Sequence, residues 1–381
     1  MRADDNGAEN VEGDRGCIMG EWQVPTFGVE EELLLIDAVT AIPAMINTAV
    51  AARTQDVGLT VQMELTPCQI ETATPVLHTA VDLVEILRSS RRVLAAAAAG
   101  EGGRIVAAGV PPLLPGTGAI TDTTRYRRIA AEYGILAAEQ GVCGAHVHVE
   151  VSDRATAIAV GNHLRPWLPI LLALTANSAF YDGVDTGYAS WRSVLWSRWP
   201  SAGPPPLLTS ETHYDQTVDQ MRDIGAILDD AMVYWDVRPA MRFPTVEIRI
   251  SDVPATVEDT ALLAVIVRAL VMTAVRDIDA GTRAPEVAEH ALRWAYWRAA
   301  RDGLTNALVH PVTGRLASVD AATSALMEHI APALDAAGDH SVAKLGMSRT
   351  LMRGNGATRQ RRTVEEAGSV AAAVLSLAEK F

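Results

Sequence analysis

The chain is predicted to fold as an α+β protein with a helical C-terminal portion. Before Ala255, several short segments alternate polar and apolar residues with the period of a strand, and Gly144–Val151 (GAHVHVEV) does so most clearly. After Ala255 the apolar residues return at helical spacing to the end of the chain. With 49% hydrophobic and 20% charged residues, the 381-residue chain can bury a substantial core. No repeat period, heptad seam or low-complexity linker forces a boundary, so residues 21–381 read as a single domain. Residues 1–20 read as a disordered acidic tail.

The charge balance narrows the function. Lys and Arg number 32 against 46 Asp and Glu, a formal net charge of −14. Such a field repels phosphate backbones and anionic bilayers, so neither nucleic acid nor membrane is expected as a partner. Cys17, Cys68 and Cys143 show no CxxC spacing and are odd in number, which supports neither a disulfide framework nor a zinc knuckle. The N-terminus has no apolar signal-like run, and the stretch Trp167–Ala176 falls short of the ~20 residues a span requires. A cytoplasmic protein is the expectation.

Taken in order, Thr26–Asp37 (TFGVEEELLLID) is a strand that sends Glu30 and Glu32 one way and Glu31 the other. Two inward carboxylates on one strand call for a cation; taken alone, the stretch reads equally as a site or as a solvated edge. Val61–Thr74 is a strand broken near Pro67; of its acids, Glu64 and Glu71, Glu71 sits in the more β-like surroundings and is the better candidate for burial. Thr79–Ala99 has helical spacing and a Gly-containing stop. Arg104–Gly109 is a short buried strand leading into the Pro/Gly loop VPPLLPGTGAITD. Thr121–Gln140 is a helix with a run of arginines that reads as a solvated face.

Gly144–Val151 puts His146, His148 and Glu150 on one face and Ala145, Val147, Val149 and Val151 on the other. Imidazole and carboxylate on one rigid strand are ligands for a divalent metal. Ala155–Phe180 reads as a long apolar helix, followed by a Gly-, Pro- and Trp-rich segment from Tyr181 that reads as a folded loop covering a site, with Arg192 and Arg198 as its notable cations. Thr209–Ala231 is an amphipathic helix, and Thr245–Ser251 is a strand with Glu247 and Arg249 on one face. Helices are expected at 255–279, 284–307, 318–336, 340–352 and 363–380. The apolar stretch Ala261–Ala274 suits either a core or a homo-oligomer interface.

Four strand segments therefore offer inward polar groups: Glu30 with Glu32, Glu71, His146 with His148, and Glu247 with Arg249. Oxygen-rich ligation with one or two imidazoles suits Mg²⁺ or Mn²⁺ better than zinc, and several acids imply more than one ion. Magnesium held by carboxylates usually shares its shell with phosphates, which points to ATP.

The stretches GVEEE, QIETAT, GAHVHVE, GVDTGYASWR, WDVRP and TVEIRISD, with YWRAARDG and RGNGATRQR after them, resemble in order and spacing the bacterial carboxylate-amine ligases, the second glutamate-cysteine ligase family. The resemblance runs from about Thr26 to the C-terminus. It implies a glutamine synthetase-like catalytic fold, an antiparallel sheet curved into a funnel, with ATP and divalent metals inside. By this resemblance Glu30 shares a metal with His146 and Glu247, and Glu32 shares another with Glu71. Arg249 meets nucleotide phosphate, His148 lies near the phosphates or the acyl intermediate, and Arg192 is a lid arginine with a catalytic, nucleotide-facing role. Arg238 and Arg298 are the implied substrate contacts. The implied reaction is ATP-dependent joining of a carboxylate, glutamate by resemblance, to an amine such as cysteine or another amino compound, through an acyl phosphate with release of ADP and phosphate.

Two other readings compete. His146-x-His148 also occurs in metal-dependent amidohydrolases, but there βα alternation follows the pair, and here it does not. A nucleotide-binding or regulatory protein of the same fold without turnover is the second; the intact set of acids with His146 and Arg249 argues against it.

Overall fold

A computed structural model of the protein describes residues 22–114 and 118–378. The expected acidic tail, residues 1–20, and residues 115–117 of the Pro/Gly loop lie outside the described residues. Among the described residues, eleven strands run in chain order as β1 (Phe27–Asp37), β2 (Val61–Met63), β3 (Gln69–Ala73), β4 (Gly103–Val106), β5 (Gly144–Glu150), β6 (Phe180–Tyr181), β7 (Val184–Asp185), β8 (Val237–Pro239), β9 (Thr245–Asp252), β10 (Ala307–Val309) and β11 (Leu316–Ser318). Seven of them form one sheet in the order β2-β3-β1-β5-β9-β8, with β4 also pairing the far half of β1. Every pairing in it is antiparallel. The remaining four make two small hairpins, β6 with β7 and β10 with β11.

The alternation in β1, β5 and β9 gives this sheet two unlike faces. Val29, Val147, Val149, Val246 and Ile248 enter one apolar core, packed by the helices Arg154–Leu164, Leu168–Thr175 and Val257–Asp279. The last of these is buried on every side from Thr260 to Ala274, so the apolar stretch that suited core or interface is enclosed within this chain. Thr256 starts that helix by accepting a hydrogen bond from the Asp259 amide at 3.3 Å.

Glu31 points into this apolar side. It is held by Arg91 Nη2 at 2.7 Å and Nε at 2.8 Å and by the Thr260 hydroxyl at 2.6 Å. Both charges are almost fully buried, so each depends on the other for its solvation.

The helices depart from the sequence reading at breaks that Pro and Gly explain. The expected helix 155–180 is two helices, Arg154–Leu164 and Leu168–Thr175, meeting at 74°. Pro166 and Pro169 remove amide donors there, and Pro169 sits in the first turn of the second helix, where the loss costs nothing. Helix 121–140 is split at Gly134, whose φ is 55°, and helix 209–231 ends at Asp223. The final expected helix is Gly356–Ala367 and Val370–Ala378, divided at Gly368 with φ 76°. β8 and the two hairpins, with strands of two or three residues, are too short to show alternation. Among the described residues no single helix is long and apolar enough to cross a membrane.

Candidate active site

The other face of the sheet carries the polar residues, and strand register sets their neighbours. Glu30 lies opposite His146 across β1 and β5, and Glu32 opposite Glu71 across β1 and β3. His148 lies opposite Glu247 across β5 and β9, and Arg238 opposite Glu247 from β8. The β5–β9 register shifts between Ala145 and Val147, a bulge next to His146.

The side chains meet closely. His146 Nδ1 is 2.9 Å from Glu30 Oε2, and His148 Nε2 is 3.3 Å from Glu30 Oε1. His148 Nδ1 is 3.0 Å from the Thr245 hydroxyl. Arg249 Nη1 bonds Glu247 Oε1 and lies 3.4 Å from His146 Nδ1. Glu32 Oε2 accepts the Gly144 amide at 2.5 Å. A Cβ at Gly144 would run into the Arg192 guanidinium, which would have to shift.

Two groups of donors arise from this packing. One atom each from Glu30, His146 and Glu247 lie within 4.8 Å of one another, and so do one each from Glu32, Glu71 and His146. Hard oxygen donors with a single imidazole fit Mg²⁺ or Mn²⁺. Since a neutral imidazole has one lone pair, His146 can complete only one of the two groups at a time.

Electrostatics point the same way. Burial opposes charge on Glu30, yet hydrogen bonds from His146 and His148 hold its carboxyl far below the usual range. Glu247 is also buried and is held low by Arg249 and Arg238. Glu64 and Glu71 behave oppositely. Burial, then the charge of Glu32, pushes Glu64 up to about 8. Burial and the charges of Glu64, Glu30 and Glu32 raise Glu71 well above the ordinary value. Burial and Arg249 lower His146, which keeps its imidazole neutral and able to ligate. Five carboxylates face two guanidiniums, so the cluster has an excess of negative charge that protons or cations must cancel.

Sequence reasoning passed over Glu64 in favour of Glu71. With Pro67 interrupting the strand, the alternation could not say which way Glu64 points. Glu150, first grouped with the two histidines, is exposed and instead accepts the Thr26 amide and hydroxyl, at 3.1 and 2.7 Å.

The arginines sort differently. Arg249 is inside the cluster. Arg238 has all three guanidinium nitrogens engaged: Nε and Nη2 hold Glu247 at 2.8 and 3.4 Å, and Nη1 donates to the carbonyls of Ala231 and Val233. Arg192 is buried at the bulge, donating to the carbonyls of Ile250 and Arg249 at 3.3 and 3.5 Å, and it lines an adjoining cavity. Arg298 bonds Asp302 at 2.7 Å and lies over the Trp297 ring, neither of which belongs to the carboxylate cluster.

The Trp-rich segment is fixed to the sheet by the last residue of β9. Asp252 accepts from the Asn177 amide and the Ser178 hydroxyl at 2.7 Å each and from the Ser190 hydroxyl at 2.8 Å. Behind it, Gln360 Nε2 donates to Asn177 O and Oδ1 at 2.8 and 2.9 Å. Gly356 packs so closely on Asn177 that a Cβ would collide with its amide. The RGNGATRQR stretch thus buttresses the covering segment.

With this geometry in view, residues 26–376 match the model of glutamate-cysteine ligase family 2. The chain belongs to that family. A Mycolicibacterium vanbaalenii protein described as a candidate glutamate-cysteine ligase 2-2 is 53% identical, over 89% of this chain and 93% of its own length. A Mycolicibacterium smegmatis relative described as a candidate glutamate-cysteine ligase 2-3 is 50% identical, over 93% and 97%. The glutamate-cysteine ligase of Francisella tularensis, solved in complex with AMP, shares the fold with a TM-score of 0.68 at 13% identity, covering 94% of this chain and 89% of that one. A bifunctional glutathione synthetase from Pasteurella multocida aligns with a TM-score of 0.66 at 16% identity, over 93% of this chain and 52% of that one. The fold is that of the glutamine synthetase-like ligases, and the protein is a carboxylate-amine ligase acting on small molecules. Its family implies ATP and a divalent metal.

Proposed function

We propose that this ligase uses ATP to convert the side-chain carboxylate of glutamate into an acyl phosphate and then joins it to the amine of cysteine or of another amino compound. The observation that carries the reading is the pair of three-donor groups built around His146, with Arg249 beside them. The names of the relatives supply the glutamate and cysteine.

Glu30, His146 and Glu247 would hold one Mg²⁺ or Mn²⁺, and Glu32 and Glu71, with Glu64 beside them, a second. When bound, such ions neutralise the charge of the ATP phosphates. The chain's own groups do the rest. Arg238 keeps Glu247 oriented, and Arg249 offers its guanidinium to the charge developing on the transferred phosphoryl group. His148, with Nδ1 on the Thr245 hydroxyl and Nε2 against Glu30, helps hold the Glu30 carboxylate in place.

In the first step a carboxylate oxygen attacks the γ-phosphorus and ADP leaves. In the second the amine nitrogen attacks the acyl carbon, phosphate leaves, and the nitrogen loses a proton. Positioning and electrostatics suffice for both, so no serine or cysteine nucleophile is required.

The test is a screen of carboxylate and amine pairs for Mg²⁺-dependent ADP formation, with mass spectrometry of the product. An amide containing glutamate, formed together with ADP, is the expected result. Amide hydrolysis supported by metal without nucleotide would overturn the reading.

A further inference from the structure

On the side of the sheet to which Glu31 points lies another cavity, of about 630 Å³. Three helices bound it: Ala80–Ala99, Gly356–Ala367 and the start of Val257–Asp279. Among the described residues it shares none with the carboxylate cluster, whose Glu30 and Glu32 leave β1 on the other face.

Its wall is basic, in a chain whose net charge is −14. Arg88, Arg91, Arg92, Arg359 and Arg362 all line it. Three of them are committed to acids. Arg91 holds Glu31, Arg88 holds Glu258, and Arg359 Nη2 bonds Asp259 at 2.5 Å, a carboxylate that Arg349 also reaches at 3.4 Å. The other two, Arg92 and Arg362, are exposed to solvent. Arg92 donates its Nε to the Arg88 carbonyl at 3.2 Å; its terminal nitrogens, and the whole Arg362 guanidinium, have no hydrogen bond or ion pair among the described residues. With Arg349 the group has six guanidiniums, and Glu31, Glu258, Asp259 and Glu366 set four carboxylates against them. Two positive charges are left over. The 23-residue helix Val257–Asp279 also begins in this wall, so the positive end of its dipole adds to the surplus.

We propose that this cavity binds a phosphate dianion, free or as the terminal group of a small metabolite, between Arg92 and Arg362. Two uncommitted guanidinium forks match a doubly charged group that offers pairs of oxygens, and a helix N-terminus beside them suits the same group. A monoanion leaves one charge uncancelled, and a cation meets net repulsion. An occupant there ties Ala80–Ala99 to Gly356–Ala367. The second of these helices carries Gly356 and Gln360, which pack on and bond Asn177 at the root of the covering segment. The phosphate thus braces that segment from the far side of the sheet. Nothing in this assignment depends on which reaction the carboxylate cluster performs.

Calorimetry with inorganic phosphate on the full chain tests it, at about pH 8 in EDTA without nucleotide, with ionic strength held constant by chloride. Saturable binding is expected, weakened roughly 10-fold or more in the double variant Arg92→Gln, Arg362→Gln and unchanged in Arg249→Met. Both replaced side chains are exposed, and melting curves establish that the variants fold. Amide hydrogen exchange locates the site: phosphate should slow exchange at Val257–Asp259 and in Gly356–Ala367. Glycerol 3-phosphate distinguishes the source, since tighter binding than inorganic phosphate assigns the site to a phosphate ester and weaker binding to the free ion; the double variant should lose whichever binds. No saturable binding, or equal binding by the double variant, overturns the assignment. So does binding that Arg249→Met abolishes with exchange slowed only in β1, β5 and β9, because the phosphate then sits at the carboxylate cluster.

Discussion

Glu32 and Glu71 stand directly opposite each other on β1 and β3, with donor oxygens close enough to share one point with His146. Like charges in a cross-strand pair repel. On the proposed reading a cation offsets this repulsion, and without one the burial of Glu71 and the charges of its neighbours drive it toward its protonated form.

Stability should therefore depend on pH and metal together. Glu64 is raised from 4.5 to about 8, and Glu71 is raised as well. Between those pH values the folded protein holds more protons than the unfolded chain, so metal-free stability falls as pH rises from about 4.5 to about 8. Mg²⁺ takes over from the protons, so it should raise the melting temperature more at about pH 8 than at about pH 5.5. Circular dichroism melts in EDTA and in Mg²⁺ read this, and an equal Mg²⁺ effect at both pH values would contradict it.

The neutral variant Glu71→Gln removes the repulsion. In EDTA at about pH 8 it should melt above the parent protein, while losing most of the stabilisation by Mg²⁺. A lower melting point in EDTA would mean that Glu71 serves the fold rather than an ion.

Glu247 touches both Arg238 and Arg249, and on the proposed reading turnover depends on it. Glu247→Ala should cut ADP release on the order of 100-fold or more with the fold retained. Arg249→Met should fall comparably in kcat. Coupled-enzyme assays of ADP with melting curves measure both, and unchanged ADP release would remove these residues from the site.

Glu31 should matter for stability and not for chemistry. Glu31→Gln leaves the buried Arg91 without its carboxylate and should cost about 3–5 kcal/mol in urea unfolding. The double variant Glu31→Leu, Arg91→Met should recover much of that loss. If the double variant is as unstable as the single, the pair contributes more than mutual neutralisation.

Gly144→Ala should push the Arg192 guanidinium off the bulge, at about 1–3 kcal/mol of overpacking. Binding of Mg·ATP should survive, because Glu32 needs only the amide of residue 144. Loss of nucleotide binding in a folded variant would show that Arg192 acts on the nucleotide side.

By itself, the sequence determined which side chains share a face. Glu30 parts from Glu31, and His146 and His148 part from Val147, because a strand's period of two is a local property of the backbone. Composition likewise set the class of protein, and the Pro and Gly positions hold the reasons for the helix breaks. Only the tertiary structure decided which faces meet. Strand order is a matter of long-range pairing, so nothing near Glu30 in sequence says that His146 lies across from it, or that Arg238 holds Glu247 rather than facing open space. Glu64, beyond the end of a three-residue strand, could be placed only once β3 and β1 had fixed the surface it faces.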